Sequence, residues 1–407
     1  NHCGCAVHAG EIVLADIDLA MATDGSGPLS IELFHKMGKK EIKDPEQIVM
    51  ALDHYVPCPN DKVSRLHDKM RHFCQDMKCK LFETGDGIGH QLLPEKGYIK
   101  PGSLTVGADS HACTYGALNA FGTGIGSSDL AAVMATGRLW LKVPASIKIE
   151  LEGRLNPQVT AKDLALYLVG RLSSSGANYR ALEFCGNAIA NLDMDDRLTI
   201  CNMIVETGAK CGFMPFDQIT ELFLSRLSPV EYHPAFADPG AEYENVIRID
   251  LNRLEPQIAA PHRVDNVRVI SELVGTPIDM VVIGTCTNGR LKDLALAADL
   301  LKEHPKTAGV EVLVVPASRQ VFTRAAQQGL LEIFSRTGAM ILPPGCGPCC
   351  GSSAGIPGDG KHILSTANRN FLGRMGNVNA RIYLGSPLAA AAAAITGEIC
   401  DPRRIIE

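Results

Sequence analysis

The sequence predicts an α/β protein of three domains with mainly parallel sheets, and three observations predict it. Short β-rich runs end in loops of Gly, Ser, Thr or Cys. Helix-like stretches separate those runs. The chain also carries 39 glycines in 407 residues, which suits many tight strand-to-helix turns better than a helical bundle.

Residues 103–106 run into Gly107-Ala108-Asp109-Ser110-His111, and residues 279–283 into Gly284-Thr285-Cys286-Thr287-Asn288. Residues 338–342 run into Pro343-Pro344-Gly345-Cys346. Residues 290–302 and 318–331 read as helices. In parallel sheets ligands gather beyond the carboxyl ends of the strands, so the three loops are expected to share one site. The apolar run 388–395 follows Ser386-Pro387 and reads as a capped, closely packed helix, too short to cross a bilayer. Gly122-x-Gly124-x-Gly126 lacks dinucleotide-fingerprint spacing and reads as close packing at a helix start.

One break is expected at Val143-Pro144, where a helical stretch gives way to strand-like residues 146–151. Another is expected in the proline-bracketed connector 255–262. The resulting units are 1–144, 145–260 and 261–407, each of ordinary domain size. Asn1-His2-Cys3-Gly4-Cys5 has no initiator Met and no apolar leader, and reads as a processed or truncated start.

The net charge is -6, which gives no support to a nucleic-acid or acidic-membrane partner. An anionic ligand must be met by a local basic site. Fourteen cysteines in so long a chain do not make a disulfide scaffold. Most, such as Cys185, Cys201 and Cys400, sit in apolar sequence, and a reducing cytoplasm is the expected compartment.

Cys346-Gly347-Pro348-Cys349 stands apart, and by itself it admits three chemistries. Thioredoxin-like exchange uses this motif but wants a small domain with the first Cys at a helix start. Structural zinc wants four ligands, usually in paired short motifs, and this chain has one C-x-x-C. Cys286 could add a third zinc ligand, but no fourth is spaced for the role, whereas an iron–sulfur cluster held by three cysteines would leave one iron open to act as a Lewis acid. Buried, inert thiols are the ordinary alternative, and the expected one for Cys350.

Four motifs, Gly107-Ala-Asp-Ser-His111, Gly284-Thr-Cys-Thr-Asn288, Gly345-Cys-Gly-Pro-Cys349 and Asn368-Arg-Asn-Phe-Leu-Gly-Arg374, resemble those of the aconitase superfamily in order and approximate spacing. The resemblance covers nearly the whole chain after residue 10. It is nearest to the branch of 3-isopropylmalate dehydratase, homoaconitase and dimethylmalate dehydratase large subunits. It implies a hydro-lyase acting on a hydroxy-dicarboxylate, with 2- and 3-isopropylmalate and leucine biosynthesis as the first expectation. It also implies a [4Fe–4S] cluster on Cys286, Cys346 and Cys349. The superfamily's fourth, swivelling domain, with its serine base and further arginines, is expected on a separate small subunit.

A dehydration must remove a proton from carbon and protonate a departing hydroxide, work suited to histidines paired with carboxylates. The resemblance pairs Asp53 with His54, Asp109 with His90, and Glu206 with His111, and makes His54 the proton donor. It makes Arg369 and Arg374 the carboxylate clamp, through the two-pronged pairing of guanidinium with carboxylate. Five residues apart, they would diverge by about 140° on a helix, so a loop must aim them. Ser110 is no serine nucleophile, since no Gly-x-Ser-x-Gly elbow surrounds it and adjacent residues in an extended segment diverge. It is expected to donate a hydrogen bond to substrate. Asn202 and Asn368 are expected just behind the cluster. Asp24 lies where aconitase carries a glutamine and receives no role. His35, His67, His72, His233, His304 and His362 are expected to be ordinary surface or core residues. A non-catalytic metal-binding or electron-transfer protein is the alternative of another class.

Overall fold

The computed structural model describes residues 2–227 and 231–406, so Asn1 and Glu407, the ends of the first and third expected units, lie outside the described residues. Leu19–Thr23, Ile48–Ala51, Lys80–Phe82, Leu104–Gly107 and Phe121–Gly124 form a five-stranded parallel sheet. Leu19–Thr23 is central. The chain winds outward from it through Ile48–Ala51 to Lys80–Phe82, then returns to its other side with Leu104–Gly107 and Phe121–Gly124. That reversal opens a crevice at the carboxyl ends of Leu19–Thr23 and Leu104–Gly107, where parallel sheets bind ligands.

The second sheet is also parallel, in the order Cys211–Phe213, Arg180–Cys185, Ala145–Glu152, Asn245–Asp250. The third has seven strands, in the order Val267–Val269, Gln257–Ala259, Arg381–Leu384, His362–Ser365, Met280–Gly284, Glu311–Val315, Met340–Ile341. Its first two strands pair antiparallel and the other five are parallel. Met280–Gly284 is buried along its whole length, as an apolar strand covered on both faces must be. Helix Pro387–Thr396 lies against it, and the Ser386 hydroxyl caps that helix by accepting from the Ala389 N–H at 3.3 Å. Because Gln257–Ala259 hydrogen-bonds into this third sheet, we place the second break in the same connector but upstream of Gln257.

Three local expectations change. Residues 318–331 are two helices, Arg319–Gln327 and Leu330–Arg336, because Gly329 takes a left-handed φ of 75° between them. Arg138–Lys142, just before the Val143-Pro144 break, is a strand paired antiparallel with Ile12–Asp16. Ser110 is not extended: it begins a 3-10 turn, Ser110–Leu118, and Asp109 is the extended residue that caps it. Gly122 and Gly124 lie in a strand, where a Cβ would strike the Ala112 and Ser110 backbone, so they let this turn seat on the sheet. Among the described residues no helix is long and apolar enough to cross a membrane, and all fourteen cysteines are free.

Candidate active site

The loops leaving the five-stranded sheet bring Asp24, Asp53, His54, His90, Asp109 and His111 to its crevice. Asp53 is fully buried. One oxygen pairs with His54 Nδ1 at 2.7 Å, and the other accepts from the Gly89 N–H at 2.8 Å. That second bond ties the His54 loop to the start of helix Gly89–Glu95, which carries His90. His90 Nε2 is 2.8 Å from Asp109 Oδ1, and its Nδ1 lies 3.3 Å from the Tyr115 hydroxyl. Asp109 serves more than the single partner expected of it. His54 Nε2 is 3.4 Å from its other oxygen, and His111 Nδ1 is 3.5 Å from Oδ1.

The third sheet supplies the cysteines. Cys286 follows Met280–Gly284, and Cys346 and Cys349 follow Met340–Ile341, all three buried. The turn into Cys286 needs unusual backbone. Gly284 has φ 134°, and a Cβ there would overlap the Val315 carbonyl oxygen. Thr285, a β-branched residue, follows at φ 68°, and its buried hydroxyl has no partner among the described residues. Strain of this kind persists only where surrounding bonds enforce it. Here Arg290, itself buried, donates to the Cys286 and Thr287 carbonyls at 2.9 and 2.8 Å. The two loop systems meet directly, since the Cys346 N–H donates to the Asp53 carbonyl at 2.8 Å and Ile88 packs with Cys286 and Cys346.

Glu206 arrives from the second unit, in the turn Ile204–Thr207 after helix Met194–Met203. Its Oε1 lies 3.3 Å from His111 Nε2 and accepts from Arg369 Nε at 2.6 Å. Arg369 and Arg374 both lie outside helices, on the segment after His362–Ser365. Arg374 Nη2 points at Cys349 Sγ at 3.6 Å, and its Nε is buried with no partner among the described residues. Ser110 is half-buried and lines a cavity of about 550 Å³ that Thr123, Asp129, Val205 and Gly208 also bound.

Asn202 Nδ2 and Asn368 Nδ2 donate to Cys286 Sγ at 3.4 and 3.3 Å, and Asn368 also donates to Asn202 Oδ1 at 3.3 Å. Burial and the neighbouring Cys349 push the Cys286 thiol up to about 11, and burial raises Cys346 well above the ordinary thiol value. Buried thiols raised in this way give up their protons only to a cation, and amide and guanidinium donors to sulfur are the surroundings of a sulfur-ligated metal group. Among the described residues, the triads whose ligand atoms lie within 4.8 Å of one another are His90–Asp109–His111 and Asp24–Asp53–His54, neither with a cysteine. A single tetrahedral zinc would draw its sulfurs to roughly 4 Å, given bonds of about 2.3 Å. The donor set fits a polynuclear group better.

Burial disfavours charge on His54, but Cys346, Asp53 and Asp109 outweigh it and hold its pKa well above the ordinary imidazole value. Burial likewise opposes ionisation of Asp109, yet His90, His111 and His54 keep it well below the ordinary carboxylate range. For Glu206 the burial penalty is overcome by His111 and Arg369, and its pKa is lowered. The crevice therefore combines an imidazole that favours its proton, carboxylates and two arginines, a set able to move a proton and hold an anion.

Several residues here escaped sequence reasoning. Asp24 accepts from the His54 and Tyr55 N–H groups at 2.9 and 3.1 Å and pairs with His67 Nε2 at 2.9 Å. It thus holds the His54 loop in place, while His67 is the satisfied core residue it was expected to be. Asp24 does follow a strand, Leu19–Thr23, and that strand-end signal could have found it. Arg290, Tyr115 and Lys162 had no local signal. Cys350 is half-buried, and its thiol donates to the His54 carbonyl at 3.2 Å.

A family model described as "Aconitase family (aconitate hydratase)" matches residues 4–397. The chain is 51% identical to "3-isopropylmalate dehydratase large subunit 1" of Thermotoga maritima, over 100% of this chain and 97% of that protein. It is 47% identical to "3-isopropylmalate dehydratase large subunit" of Elusimicrobium minutum, over 100% and 97%. It is also 47% identical to "Probable methanogen homoaconitase large subunit" of Methanosarcina mazei, over 97% and 100%. Among solved structures, Thermococcus kodakaraensis aconitase X in its holo-form superposes with a TM-score of 0.53 at 15% identity, covering 88% of this chain and 84% of that one. That likeness concerns the fold alone.

Proposed function

The chain belongs to the aconitase family, and on that premise we propose that it is the large subunit of a hydro-lyase interconverting 2- and 3-isopropylmalate by dehydration and rehydration, in leucine biosynthesis. The observation that carries the reading is the convergence of His54, held by Asp53 and Asp109, with three buried cysteines and two arginines in one crevice. The expected cytoplasmic location rests on the free cysteines, which suit a reducing compartment.

Cys286, Cys346 and Cys349 would hold a [4Fe–4S] cluster. When bound, such a cluster supplies an iron with an open position, a Lewis acid for the substrate's hydroxyl and an adjoining carboxylate. Asn202, Asn368 and Arg374 stabilise the thiolates by donating to sulfur. His54 is the proton donor to the departing hydroxyl. Asp53 at Nδ1 sets the ring's orientation, so that Nε2 faces Asp109 and the crevice, and the proton leaves from there. In rehydration the same ring takes that proton back. Arg369 and Arg374 bind substrate carboxylate, with Glu206 aiming Arg369 until substrate arrives. Ser110 donates a further hydrogen bond to substrate. The relatives' names call them large subunits, which supports a small-subunit partner here, and we assign the base that removes the carbon-bound proton to that partner.

The test is anaerobic purification of the chain with its partner, metal and sulfide analysis, and assays with isopropylmalate, homoaconitate and dimethylmalate. Iron with sulfide and turnover of isopropylmalate are expected. Zinc without sulfide overturns the reading, as does robust turnover by the cluster-loaded large subunit alone for the partner assignment. The likeness to the Methanosarcina mazei protein makes homoaconitate the second substrate to test.

A further inference from the structure

Lys162 is the second residue of helix Ala161–Leu172, which belongs to the second unit. Its side chain is completely buried, and among the described residues no carboxylate lies within ion-pair distance of its ammonium. Burial of an unpaired ammonium is unfavourable, and the group loses affinity for its proton, with a pKa pushed down to about 7. The side chain must therefore be held by specific acceptors. Nζ donates to the Thr366 carbonyl at 2.7 Å and to the Ala367 carbonyl at 2.6 Å.

Those two carbonyls lie just beyond strand His362–Ser365 of the third sheet, immediately before Asn368 and Arg369. The Ala367 carbonyl shares its peptide plane with the Asn368 N–H, so fixing one fixes the other. The Thr366 hydroxyl accepts from the Gly284 N–H at 2.8 Å and lies 3.2 Å from the Gly284 carbonyl oxygen, at the root of the Cys286 turn. From this clamped segment Asn368 reaches Cys286 Sγ and Arg369 reaches Glu206.

We infer that Lys162 is a positioning residue: by clamping the Thr366 and Ala367 carbonyls it sets the direction of both Asn368 toward Cys286 and Arg369 toward the anion-binding crevice. This inference rests on the functional reading above for its link to cluster and substrate, but the clamp itself does not. Methionine replaces the lysine with an unbranched chain one atom shorter that donates nothing, so Lys162→Met frees both carbonyls. Lys162→Gln, of the same reach as the Met variant, keeps an amide NH2 donor.

The experiment compares wild type, Lys162→Met, Lys162→Gln, Asn368→Ala and the double variant Lys162→Met with Asn368→Ala. In the iron-free chain, amide exchange over residues 366–369 is expected to accelerate at least about tenfold in Lys162→Met and less in Lys162→Gln. In the anaerobically reconstituted enzyme with its partner, the electron paramagnetic resonance signature of the reduced cluster should shift. The KM for isopropylmalate should rise roughly tenfold with a smaller change in kcat. The Lys162→Met effect on that signature should largely vanish in the Asn368→Ala background, because coupled residues are not additive. Unchanged exchange at 366–369 overturns the clamp, and a wild-type signature and KM or full additivity overturns its role at the site. Should Lys162→Met not accumulate in soluble form, Lys162→Gln is read by the same criteria. A wild-type chain that takes up no iron and sulfide sinks the functional reading instead, while the exchange measurement still decides the clamp.

Discussion

Arg369 Nε donates to Glu206 Oε1 at 2.6 Å, joining residues 163 positions apart, and the same oxygen lies 3.3 Å from His111 Nε2. One carboxylate thus aims a guanidinium and an imidazole at once. Glu206→Gln removes the charge and keeps the shape. It is expected to lower kcat/KM for isopropylmalate by roughly 10²-fold, the low end of what a positioned acid–base group contributes. Steady-state kinetics of the reconstituted pair check this, and an unchanged kcat/KM would show that Arg369 and His111 are oriented by other contacts.

Cys286→Ala removes the thiol that both Asn202 and Asn368 serve. The variant should keep its fold and lose its cluster, read as iron and acid-labile sulfide per chain after anaerobic reconstitution. Iron and sulfide equal to wild type would remove Cys286 from the ligand set.

Asp24→Ala strands the His54 and Tyr55 N–H groups and His67 in a buried setting. Unpaired buried donors are costly, and a loss of about 2–4 kcal/mol in unfolding free energy is expected. Asp24→Asn keeps an acceptor and should lose less. Urea titrations of the iron-free chain measure both, and an Asp24→Ala midpoint equal to wild type would mean the loop holds itself.

Burial pushes the Asp163 carboxyl from its ordinary 3.8 up to about 6. The folded chain therefore binds this proton more tightly than the unfolded chain. That contribution to stability is full below pH 3.8 and is lost as pH rises through 6. Asp163→Asn cannot titrate, so the stability of wild type relative to the variant should fall across this window. Paired urea midpoints at several pH values test it, and a constant difference would rule out the shift.

Gly284→Ala asks a Cβ to share space with the Val315 carbonyl oxygen at a φ of 134°, so the backbone must move. Because only Thr285 separates this position from Cys286, cluster content should fall in step with stability. A variant as stable and as iron-rich as wild type would show that the turn has room to relax.

Much of the fold was legible because its signals are local. Apolar runs such as Met280–Gly284 end in glycine and polar residues within a few positions, and that punctuation marks strand, turn and loop. The same punctuation marked the loops of His54, Asp109 and the cysteines. It failed where one residue redirects the chain, as Gly329 does in breaking residues 318–331 into two helices. It failed also at Arg138–Lys142, whose partner strand Ile12–Asp16 lies more than a hundred residues away.

By itself, the sequence determined the α/β class, the strand-end loops and the residue types each loop presents, since backbone propensity and side-chain chemistry act over a few residues. The resemblance named three histidine–carboxylate pairs, and only the tertiary structure decided their further partners. Asp109 is shared by three histidines, Glu206 divides itself between His111 and Arg369, and Asp24 anchors the His54 loop. Lys162 reaches from the second unit to hold the backbone before Asn368 and Arg369, and Arg290, beside the Cys286 carbonyl it binds, is itself held by distant Gln91 and Thr199. Those contacts depend on how loops from three separate sheets come together, and contact over such sequence distances leaves no trace in local spacing.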